Sequence, residues 1–405
     1  MTPANPPYTW HLISPEFPPQ VGGVGDYVYL LSKQLASLGD RVNVWCSGPA
    51  ALSSPDFEVH AMLRRLSPLD LWRAGKAINR YPRPRHLVLQ WVPHAFGWRS
   101  MNVPFCMWIW IRARVRGDDL GIMVHEPFLR FAEGTWRQDA TALVHRVMTI
   151  LLLHAARRIW VSTPLWESAW RPYAFGRRMP FRWLPLPSNV PVAGDGDAVA
   201  QVRARYASPD QVIVGHFGTF GRPITPMLEV IVPAVLASGH HIVILFVGPR
   251  GAEFRDQIIR KYPQYDGRIC ATGALSTTDP QLSAHLSACD VMIQPYPDGV
   301  SSRRTSLLAP LAHGVPLVTT LGPSSEPFWC NTADLAAVAA QDIESFVAET
   351  RRLIQDEPAR RRSSLAEKTL YEKFFTIDRI GGELRLAYQD QPPGPGAQTI
   401  KSCAS

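Results

Sequence analysis

The chain has 405 residues, a formal net charge of +8 and 46% hydrophobic residues, which indicates an ordered globular protein too long for one typical hydrophobic core. Its six cysteines have no paired short spacing and no nearby histidine, which argues against a zinc site or a disulfide framework and fits a reducing cytosol. We expect a cytoplasmic protein that is not integral to a membrane, because the N-terminus lacks the features of a signal peptide and apolar runs such as 103–111 are shorter than the ~20 residues of a membrane-spanning helix.

The first half of the chain alternates strand patterns with helix patterns. Short apolar segments predict strands at 8–14, 41–45, 86–91, 120–125 and 158–163. A glycine-rich loop that contains Gly22, Gly23 and Gly25 follows the first of them. It leads into a predicted helix that Asp26 caps and Gly39 closes. The apolar face of this helix is formed by Val28, Leu31, Leu35 and Leu38. Strands that alternate with helices predict a parallel sheet covered on both faces.

A segment rich in proline, glycine and aspartate, 185–198, has no apolar period and is predicted to link two domains. Beyond it, strands are predicted at 211–218, 241–248, 268–273, 290–296 and 315–320. The predicted fold class is therefore α/β, with two doubly wound Rossmann-like domains facing across a cleft where ligands are expected. We place the domains at 1–190 and 198–372, a closing helix at 373–389 and a disordered tail at 390–405.

The glycine-rich loop is a candidate contact for a ligand. It differs from the dinucleotide fingerprint G-x-G-x-x-G because Val28 stands in place of the third glycine. No acidic residue directly follows the second strand, so an oxidoreductase of the Rossmann type is disfavoured. Glycine lets a ligand approach the backbone closely, and N–H groups at the start of a helix attract anions. We expect Gly22 and Gly23 to donate to a bound anion; a plain structural turn is the alternative.

A second candidate loop carries two arginines. A strand is predicted to end at Tyr296, and a helix with inward-facing leucines is predicted from about Ser302. Arg303 and Arg304 lie at the N-terminal end of this helix, where the helix dipole disfavours cations. A bound diphosphate would account for them, since guanidinium and backbone N–H groups both bind phosphate oxygens. The alternative is that both arginines pair with surface carboxylates.

The positive charge is concentrated in one stretch of the first half. Residues 60–116 contain eleven basic residues opposed only by Asp70, so this stretch carries a net charge of +10 and the remainder of the chain −2. Five tryptophans are interleaved with the basic residues: Trp72, Trp91, Trp98, Trp108 and Trp110. Basic and aromatic residues together suit an anionic membrane surface or a lipid-phosphate acceptor, whereas a solvated basic face over a tryptophan-rich core is the alternative. No nucleic-acid partner is predicted, because no motif that recognises nucleic acids accompanies the charge.

Four stretches, in their order and spacing, resemble glycosyltransferase family 4 over roughly residues 8–388. They are PPQVGGVGDYVYLLSKQLASLGDRVNVW, MVHEP, GALSTTDPQLSAHLSACDVMIQPYPDG and LLAPLAHGVPLVTT. The resemblance implies the GT-B fold, an N-terminal domain that binds the acceptor and a C-terminal domain that binds a nucleotide sugar. It also implies a sugar transfer that retains the anomeric configuration and needs neither a metal nor a cofactor, with the glycine-rich loop beneath the donor diphosphate.

The resemblance also implies roles for individual residues. His125 falls where the family has a strand-end histidine near the transferred sugar, with a core histidine as the alternative. Glu126 is expected to orient the acceptor, with a surface ion pair as the alternative, while Asp298 and Gly299 are expected to shape the sugar pocket. The cations expected to stabilise the departing diphosphate are Arg222, Arg303 and Arg304.

The chain departs from the family at a pair of glutamates separated by seven residues. In the family the first contacts the sugar and the second contacts the donor ribose. Ser301 and Ala309 occupy those places, so Ser301 offers only a hydroxyl and Ala309 offers no hydrogen-bond acceptor. Thr219 stands at the place of the usual arginine after the first C-terminal strand, and Met227 near that of the usual lysine. Arg222 is one candidate substitute for the missing charge, and Arg303 or Arg304 is the other.

We therefore predict a glycosyltransferase that moves a sugar from a nucleotide-sugar donor to an acceptor, a lipid-linked or cell-envelope glycan, at the inner face of the cell membrane. The missing glutamates leave an alternative, a catalytically degenerate GT-B protein that binds a nucleotide sugar or a partner without turnover. A hydrolase is not predicted, because no Ser-His-Asp or Cys-His arrangement is discernible.

Overall fold

The computed structural model describes residues 7–20, 22–47, 54–97, 100–131, 134–332 and 335–389. These residues form two parallel β-sheets of seven and six strands, each with hydrophobic cores and helices on both faces. The predicted α/β class with two doubly wound sheets is therefore confirmed. The predicted tail, 390–405, lies outside the described residues.

The first sheet is formed by β1 (Thr9–Ser14), β2 (Arg41–Cys46), β3 (Glu58–His60), β4 (His86–Trp91), β5 (Asp119–Val124), β6 (Arg158–Val161) and β7 (Phe181–Trp183). Its helices are α1 (Gly23–Ser37), α2 (Pro68–Ile78), α3 (Val103–Arg114), α4 (Trp136–Ala155) and α5 (Leu165–Trp170). The strands pair in parallel in the order β3-β2-β1-β4-β5-β6-β7. Strand β4 is buried at all six positions because helices cover both faces of the sheet.

The second sheet is formed by β8 (Val212–Phe217), β9 (Ile242–Val247), β10 (Ile269–Ala271), β11 (Val291–Gln294), β12 (Leu317–Leu321) and β13 (Ala336–Ala339). The helices of this half are α6 (Gly196–Tyr206), α7 (Thr225–Leu236), α8 (Gly251–Lys261), α9 (Pro280–Ser287), α10 (Thr305–His313), α11 (Pro327–Cys330), α12 (Ile343–Gln355), α13 (Glu357–Phe374) and α14 (Ile377–Gln389). The strands again pair in parallel, in the order β10-β9-β8-β11-β12-β13. Both sheets reverse their winding at the first strand of the unit, which opens a crevice at the carboxyl ends of the strands.

The last helix of the chain packs against the first sheet. Helices α2, α3 and α4 share one hydrophobic core of that sheet, and α1 and α14 share the other. The ring of Tyr388 on α14 lies edge-on to Trp10, with centroids 4.8 Å apart, and its hydroxyl donates to the carbonyl oxygen of Leu87 at 3.3 Å. The helix predicted at 373–389 therefore corresponds to the end of α13 and to α14, and α14 completes the core of the first domain.

Helix α1 differs from the prediction at both ends. Its cap is Gly22, and Asp26 lies in the first turn, so the prediction of Asp26 as the N-cap is wrong. The helix begins earlier because the side chain of Glu16 accepts hydrogen bonds from its first turn. At the other end Leu38 lies beyond the last turn and is 37% exposed rather than buried. Gly39 closes the helix as predicted, with a φ of 84°.

Three strands escaped prediction, and all of them are sheet edges: β3, β7 and β13. Each has only three or four residues, and most of their side chains are partly exposed, so these segments are too short for a strand pattern to be recognised. The arginine loop, residues 297–304, also runs further than predicted, because α10 begins at Thr305 rather than near Ser302. The N–H of Ser302 donates to the carboxylate of Glu326 at 3.1 Å, which holds this residue outside the helix.

The carboxyl ends of the two sheets face each other across a cleft. The hydroxyl of Ser302 donates to the carbonyl oxygen of Ser162 at 2.8 Å, which joins the arginine loop to the first domain. The guanidinium of Arg303 lies 5.5 Å from the ring centroid of Trp166, again across the cleft. The two domains are therefore in contact beside the cleft, and residues 184–195, which contain no helix or strand, connect them.

Candidate functional site

A cavity of about 430 Å³ lies in the cleft between the carboxyl ends of the two sheets. The first domain and the connecting segment contribute Glu16, Gly22, Gly23, Val24, Val92, Ala95, His125, Glu126 and Leu186. The second domain contributes Arg303, Arg304, Thr305 and Ser306. The structure thus brings together these residues that the sequence singled out: Gly22, Gly23, His125, Glu126, Arg303 and Arg304.

The glycine-rich loop is filled by a carboxylate of its own domain. The N–H groups of Val24 and Gly25, in the first turn of α1, donate to Oε1 of Glu16 at 3.0 and 3.1 Å. A Cβ atom on Gly22 would lie 2.1–2.3 Å from the carboxyl atoms of Glu16, so only glycine lets the carboxylate approach the helix. The N–H of Gly23 has no hydrogen-bond partner among the residues that the structure describes. Glu16 therefore occupies most of the anion-attracting position at the start of α1.

The arginine loop presents a different arrangement at the start of α10. Arg303 and Arg304 both form ion pairs with Asp298, the Arg303 pair at 3.5 Å. The N–H groups of Thr305 and Ser306, the first two residues of α10, have no hydrogen-bond partner within the described part of the chain. Backbone donors therefore stay available here, while the carboxylate of Asp298 contacts only side chains of the loop and its surroundings.

The charge of the arginine loop is positive on balance. Burial lowers the pKa of Arg303, the neighbouring charge of Arg304 adds to this effect, and the carboxylate of Asp298 opposes it. Two guanidinium groups and one carboxylate leave a net positive charge beside the cavity. Both interpretations of the sequence therefore apply: the arginines pair with a carboxylate, and they also face the space that an anion would enter.

His125 lies directly after β5 and is almost fully buried, with 7% of its surface exposed. Its Nε2 is 2.9 Å from Oε1 of Gln90, which lies near the carboxyl end of the neighbouring strand β4. Its ring packs edge-on against the ring of Tyr27, with centroids 5.2 Å apart. Burial lowers the pKa of His125 to about 3. The imidazole is therefore neutral at physiological pH and suits a hydrogen bond to a ligand rather than proton donation as a cation.

Glu126 lies at the rim of the cavity, where 47% of its side chain is exposed. Its Oε2 is 3.9 Å from Nε2 of His94, a contact that becomes an ion pair only when the histidine is protonated. Across residues 7–389, apart from the stretches left undescribed, no three His, Cys, Asp or Glu side chains are grouped so that they could hold a metal ion. Glu126 thus presents an accessible carboxylate on the wall of the first domain.

Several predicted residues lie outside the cavity. Arg222 and Thr219 are exposed on the loop after β8 and do not line it. Ser301 is fully buried, and its hydroxyl has no hydrogen-bond partner among the described residues. Ala309 is fully buried on α10. Gly299 has a φ of 87°, and a Cβ atom there would lie 2.2 Å from the backbone nitrogen of Gly322, so it fixes the path of the arginine loop.

Sequence reasoning missed Glu16 and the free backbone donors of Thr305 and Ser306. Glu16 lies six residues before Gly22, in a proline-containing loop after β1. An acidic residue shortly before a helix start is a known signal for charge compensation of the helix dipole, but only the structure shows that the loop folds back to allow it. The donors of α10 depended on where that helix begins, which the apolar pattern placed three residues too early.

The basic stretch, residues 60–116, divides between interior and surface. Arg85 and Arg112 are buried and pair with Asp118, just beyond the stretch. The exposed basic residues of the stretch are Arg64, Arg65, Arg73, Lys76, Arg80, Arg83, Arg114 and Arg116. Trp72 is 61% exposed, Trp91 is buried, and the remaining described tryptophans pack partly into the core: Trp108 and Trp110. Trp98 and Arg99 lie outside the described residues. The solvated face over a tryptophan-rich core therefore describes most of the stretch, with Trp72 as an exception.

Comparison with known proteins agrees with this architecture. Residues 209–356 match the sequence model of the family described as Glycosyl transferases group 1. No curated protein matches the chain in sequence. Sucrose-phosphate synthase from Thermosynechococcus elongatus is similar in structure, with a TM-score of 0.67 and 18% identity over 94% of this chain and 98% of that one.

Two further solved structures have the same arrangement of domains. HepE from Anabaena, in complex with UDP and glucose, has a TM-score of 0.64 and 12% identity over 94% of this chain and 99% of that one. WaaG, a glycosyltransferase involved in lipopolysaccharide biosynthesis, has a TM-score of 0.64 and 12% identity over 93% of this chain and 98% of that one. The chain therefore has the GT-B fold, and its residues 209–356 match the group 1 glycosyl transferases.

Proposed function

We propose that the protein is a glycosyltransferase that binds a nucleotide sugar in the cleft and transfers the sugar, with retention of configuration and without a metal, to an acceptor held by the first domain. One observation carries the proposal: Arg303 and Arg304, at the start of α10, line the same cavity as the glycine-rich loop and His125. A diphosphate leaving group needs cations and N–H donors that are in place before the reaction, and this wall offers both.

The arginine loop suits the charge that develops during transfer. As the bond between the sugar and the diphosphate breaks, negative charge accumulates on the phosphate oxygens. The side chains of Arg303 and Arg304 are 33% and 22% exposed, so water screens them less than it screens surface charges. The N–H groups of Thr305 and Ser306 would add two donors and the positive end of a helix.

The wall of the first domain suits neutral parts of the substrates. His125 is neutral at physiological pH, so its role is a hydrogen bond to the sugar. Glu126, at the rim, is placed to orient a hydroxyl group of the acceptor. Arg222, Thr219 and Ser301 lie outside the cavity, so the proposal does not depend on them.

The comparisons supply supporting evidence for the type of donor. The match of residues 209–356 to group 1 glycosyl transferases supports transfer from an activated sugar. Because HepE was solved with UDP and glucose, uridine nucleotides are the first candidates to test.

The test is a thermal-shift panel of UDP, GDP, ADP and dTDP with the wild-type protein and with Arg303→Ala/Arg304→Ala. We expect one diphosphate to stabilise the wild type and to lose most of its effect in the double variant, because charged hydrogen bonds contribute about 1.5–3 kcal/mol each. The matched control is Arg361→Ala/Arg362→Ala, which removes two adjacent exposed arginines from α13. Unchanged nucleotide binding in the Arg303/Arg304 variant, or no binding of any diphosphate by the wild type, would contradict the proposal.

A second candidate function is binding without turnover. Ser301 and Ala309, which replace the paired glutamates, are both fully buried, so neither side chain reaches a ligand in the cavity. Release of nucleoside diphosphate from nucleotide sugars separates the two candidates. Slow release without added acceptor, above the rate in the Arg303/Arg304 variant, supports the enzyme; tight binding with no release under any acceptor supports the degenerate protein.

The acceptor is proposed to lie at an anionic membrane surface. The outward faces of α2 and α3 combine exposed apolar and basic side chains: Leu69, Trp72, Arg73 and Lys76 on α2, and Met107, Ile111 and Arg114 on α3. A cavity of about 430 Å³ runs along α2 and is lined by Arg64, Trp72, Arg73, Lys76 and Arg80, among others. No helix among the described residues has the length and apolar character needed to span a bilayer. Such a face fits peripheral attachment to phospholipid headgroups.

Liposome flotation tests the membrane proposal. We expect binding to phosphatidylglycerol vesicles at low salt, loss of binding at high salt and no binding to neutral vesicles. Each basic residue near an anionic surface contributes about 1 kcal/mol, so Arg73→Glu/Lys76→Glu should weaken binding more than tenfold, whereas Arg361→Glu/Arg362→Glu should not. Equal behaviour of the two charge-reversed variants would refute docking through α2.

A further inference from the structure

The carboxylate of Glu16 has one oxygen that is held and one that is free. Its Oε1 accepts the N–H groups of Val24 and Gly25, which fixes the position of the side chain. Among the described residues, the hydrogen bonds to this carboxylate all go to Oε1 and none goes to Oε2, and Glu16 lines the cavity. The absence of a side chain at Gly22 is what allows this placement. The wall of the first domain therefore presents one immobilised oxygen atom that can accept hydrogen bonds.

This carboxylate makes the start of α1 unsuitable for phosphate. Two of the N–H groups that would bind an anion already donate to Glu16, and a second negative group beside it would be repelled. Hydroxyl groups have the opposite property, since they donate hydrogen bonds and carry no charge. The arginines and free N–H groups for a phosphate lie on the other wall, at α10. The geometry divides the cavity into a phosphate side and a hydroxyl side.

Among the described residues that line the cavity, the second domain contributes no carboxylate for the hydroxyl groups of a sugar. Ser301 is fully buried. Asp298 is engaged by both arginines of its loop and accepts the hydroxyl of Ser324 at 3.1 Å. Of the residues that line the cavity, Glu16 and Glu126 are the carboxylates, and Glu126 lies at the rim. Glu16 is the one beside the glycine-rich loop.

Resting on the proposed function, we infer that Glu16 is a donor-binding residue whose Oε2 accepts a hydroxyl group of the sugar that is transferred. The carboxylate that would bind this sugar then comes from the first domain rather than from the arginine loop. Val24 and Gly25 act as positioning groups, because their N–H donors hold the carboxylate in place.

The test compares the affinity of a nucleotide sugar with that of its own diphosphate, by calorimetry. The four pairs are UDP and UDP-glucose, GDP and GDP-mannose, ADP and ADP-glucose, and dTDP and dTDP-glucose. The wild type should bind one nucleotide sugar more tightly than the matching diphosphate. In Glu16→Gln that advantage should fall by about tenfold, the range expected for loss of a hydrogen bond to a charged group, while affinity for the diphosphate stays within about twofold.

The matched control is Glu344→Gln, which neutralises an exposed carboxylate on α12, outside the cavity, and should keep the advantage of the nucleotide sugar. Glu16→Ala serves as a second variant. Tighter diphosphate binding by Glu16→Ala would overturn the inference, since it would mean that phosphate uses the glycine-rich loop. Equal losses for both ligands, an unchanged ratio in Glu16→Gln, or a wild type that gains nothing from the sugar would overturn it as well. Failure of every diphosphate to bind the wild type contradicts the proposed function instead.

Discussion

Two helices point their N-termini at the same cavity, and each has a carboxylate nearby, but the carboxylates contact different groups. At α1, Glu16 accepts the backbone N–H groups of the first turn. At α10, Asp298 contacts the side chains of Arg303 and Arg304, and the first two backbone N–H groups have no partner among the described residues. Since both helix starts carry partial positive charge, one is neutralised and the other is reinforced. A glycine-rich loop before a helix is therefore insufficient to locate an anion site, because the charge around the helix start decides.

The largest expected effect comes from the backbone of the arginine loop. Gly299→Ala would place a side chain at a φ of 87° and 2.2 Å from the nitrogen of Gly322, so two backbone segments would have to separate. We expect a loss of about 3 kcal/mol in the free energy of unfolding, measured by urea denaturation, together with loss of diphosphate binding. Gly382→Ala on α14, where a Cβ atom meets nothing within 4 Å, is the control. A destabilisation no larger than that of the control would show that the close approach of Gly299 to Gly322 does not hold the arginine loop in place.

The next effect is a loss of folding stability at acid pH, to which one buried histidine in each domain contributes. Burial lowers the pKa of His125 to about 3 and that of His216, which lies on β8, to about 4. In the unfolded chain these histidines have pKa values near 6.5, so below that pH they become protonated, whereas in the folded chain they stay neutral. Their contribution to stability is therefore complete above about pH 6.5 and is lost as the pH falls toward the folded values, by about 2 kcal/mol each at pH 5.

Urea denaturation at pH 7 and pH 5 measures this loss. His216→Asn should lower stability at pH 7, because a buried ring is removed, but should lose less on acidification than the wild type. An identical pH dependence in the variant and the wild type would exclude His216 as a source of the acid sensitivity.

A smaller effect on stability should distinguish Gly22 from Gly23 in the glycine-rich loop. Gly22→Ala would drive the carboxylate of Glu16 away from α1 and leave two N–H groups unpaired, whereas a Cβ atom on Gly23 meets nothing within 4 Å. We expect Gly22→Ala to cost about 1 kcal/mol, the usual cost of losing a helix cap, and Gly23→Ala to be close to neutral. Thermal unfolding of both variants without nucleotide makes the comparison. Equal melting temperatures would mean that the contact with Glu16 does not stabilise α1.

The smallest effect concerns the arginine loop and its carboxylate. Asp298→Asn keeps the size of the side chain but removes the charge that competes with a bound phosphate for Arg303 and Arg304. We expect diphosphate affinity to rise by up to about fivefold, since partly exposed ion pairs contribute at most about 1 kcal/mol. Calorimetric titration measures the change. Weaker binding in the variant would instead mean that Asp298 holds the arginines in a productive orientation.

Most of the strands could be predicted from apolar patterns in the sequence. The central strand β9, with six buried residues, is a continuous apolar run, and the glycine-rich loop and the arginine loop both follow strands that were predicted. The edge strands β3, β7 and β13 were missed because three or four partly exposed residues are too few to establish a pattern. A central strand is covered by helices on both faces and paired on both sides, so its residues must be apolar. An edge strand pairs with one neighbour only, so its side chains can be partly exposed and polar.

The sequence singled out six of the residues that line the cavity but not the contacts among them. The sequence predicted an anion contact for the glycine-rich loop and for Arg303 and Arg304, and the structure places both loops beside one cavity. The sequence did not indicate that Glu16 bonds to α1, since that contact needs the chain between residues 16 and 22 to fold back. It also did not indicate that Ser301 is buried, because a hydroxyl-bearing loop residue is compatible with either environment. Such tertiary contacts depend on distances that no local pattern encodes.

The position of α14 has a consequence for synthesis on the ribosome. Ile380, Leu384 and Tyr388 fill the core beneath the first sheet, although the ribosome makes them after the entire second domain. The first domain therefore emerges early with an apolar groove uncovered, and its folding is completed only when the last helix is released. A chain truncated before α14 should lose the first domain before the second, so the C-terminal end of this sequence controls the maturation of its N-terminal half.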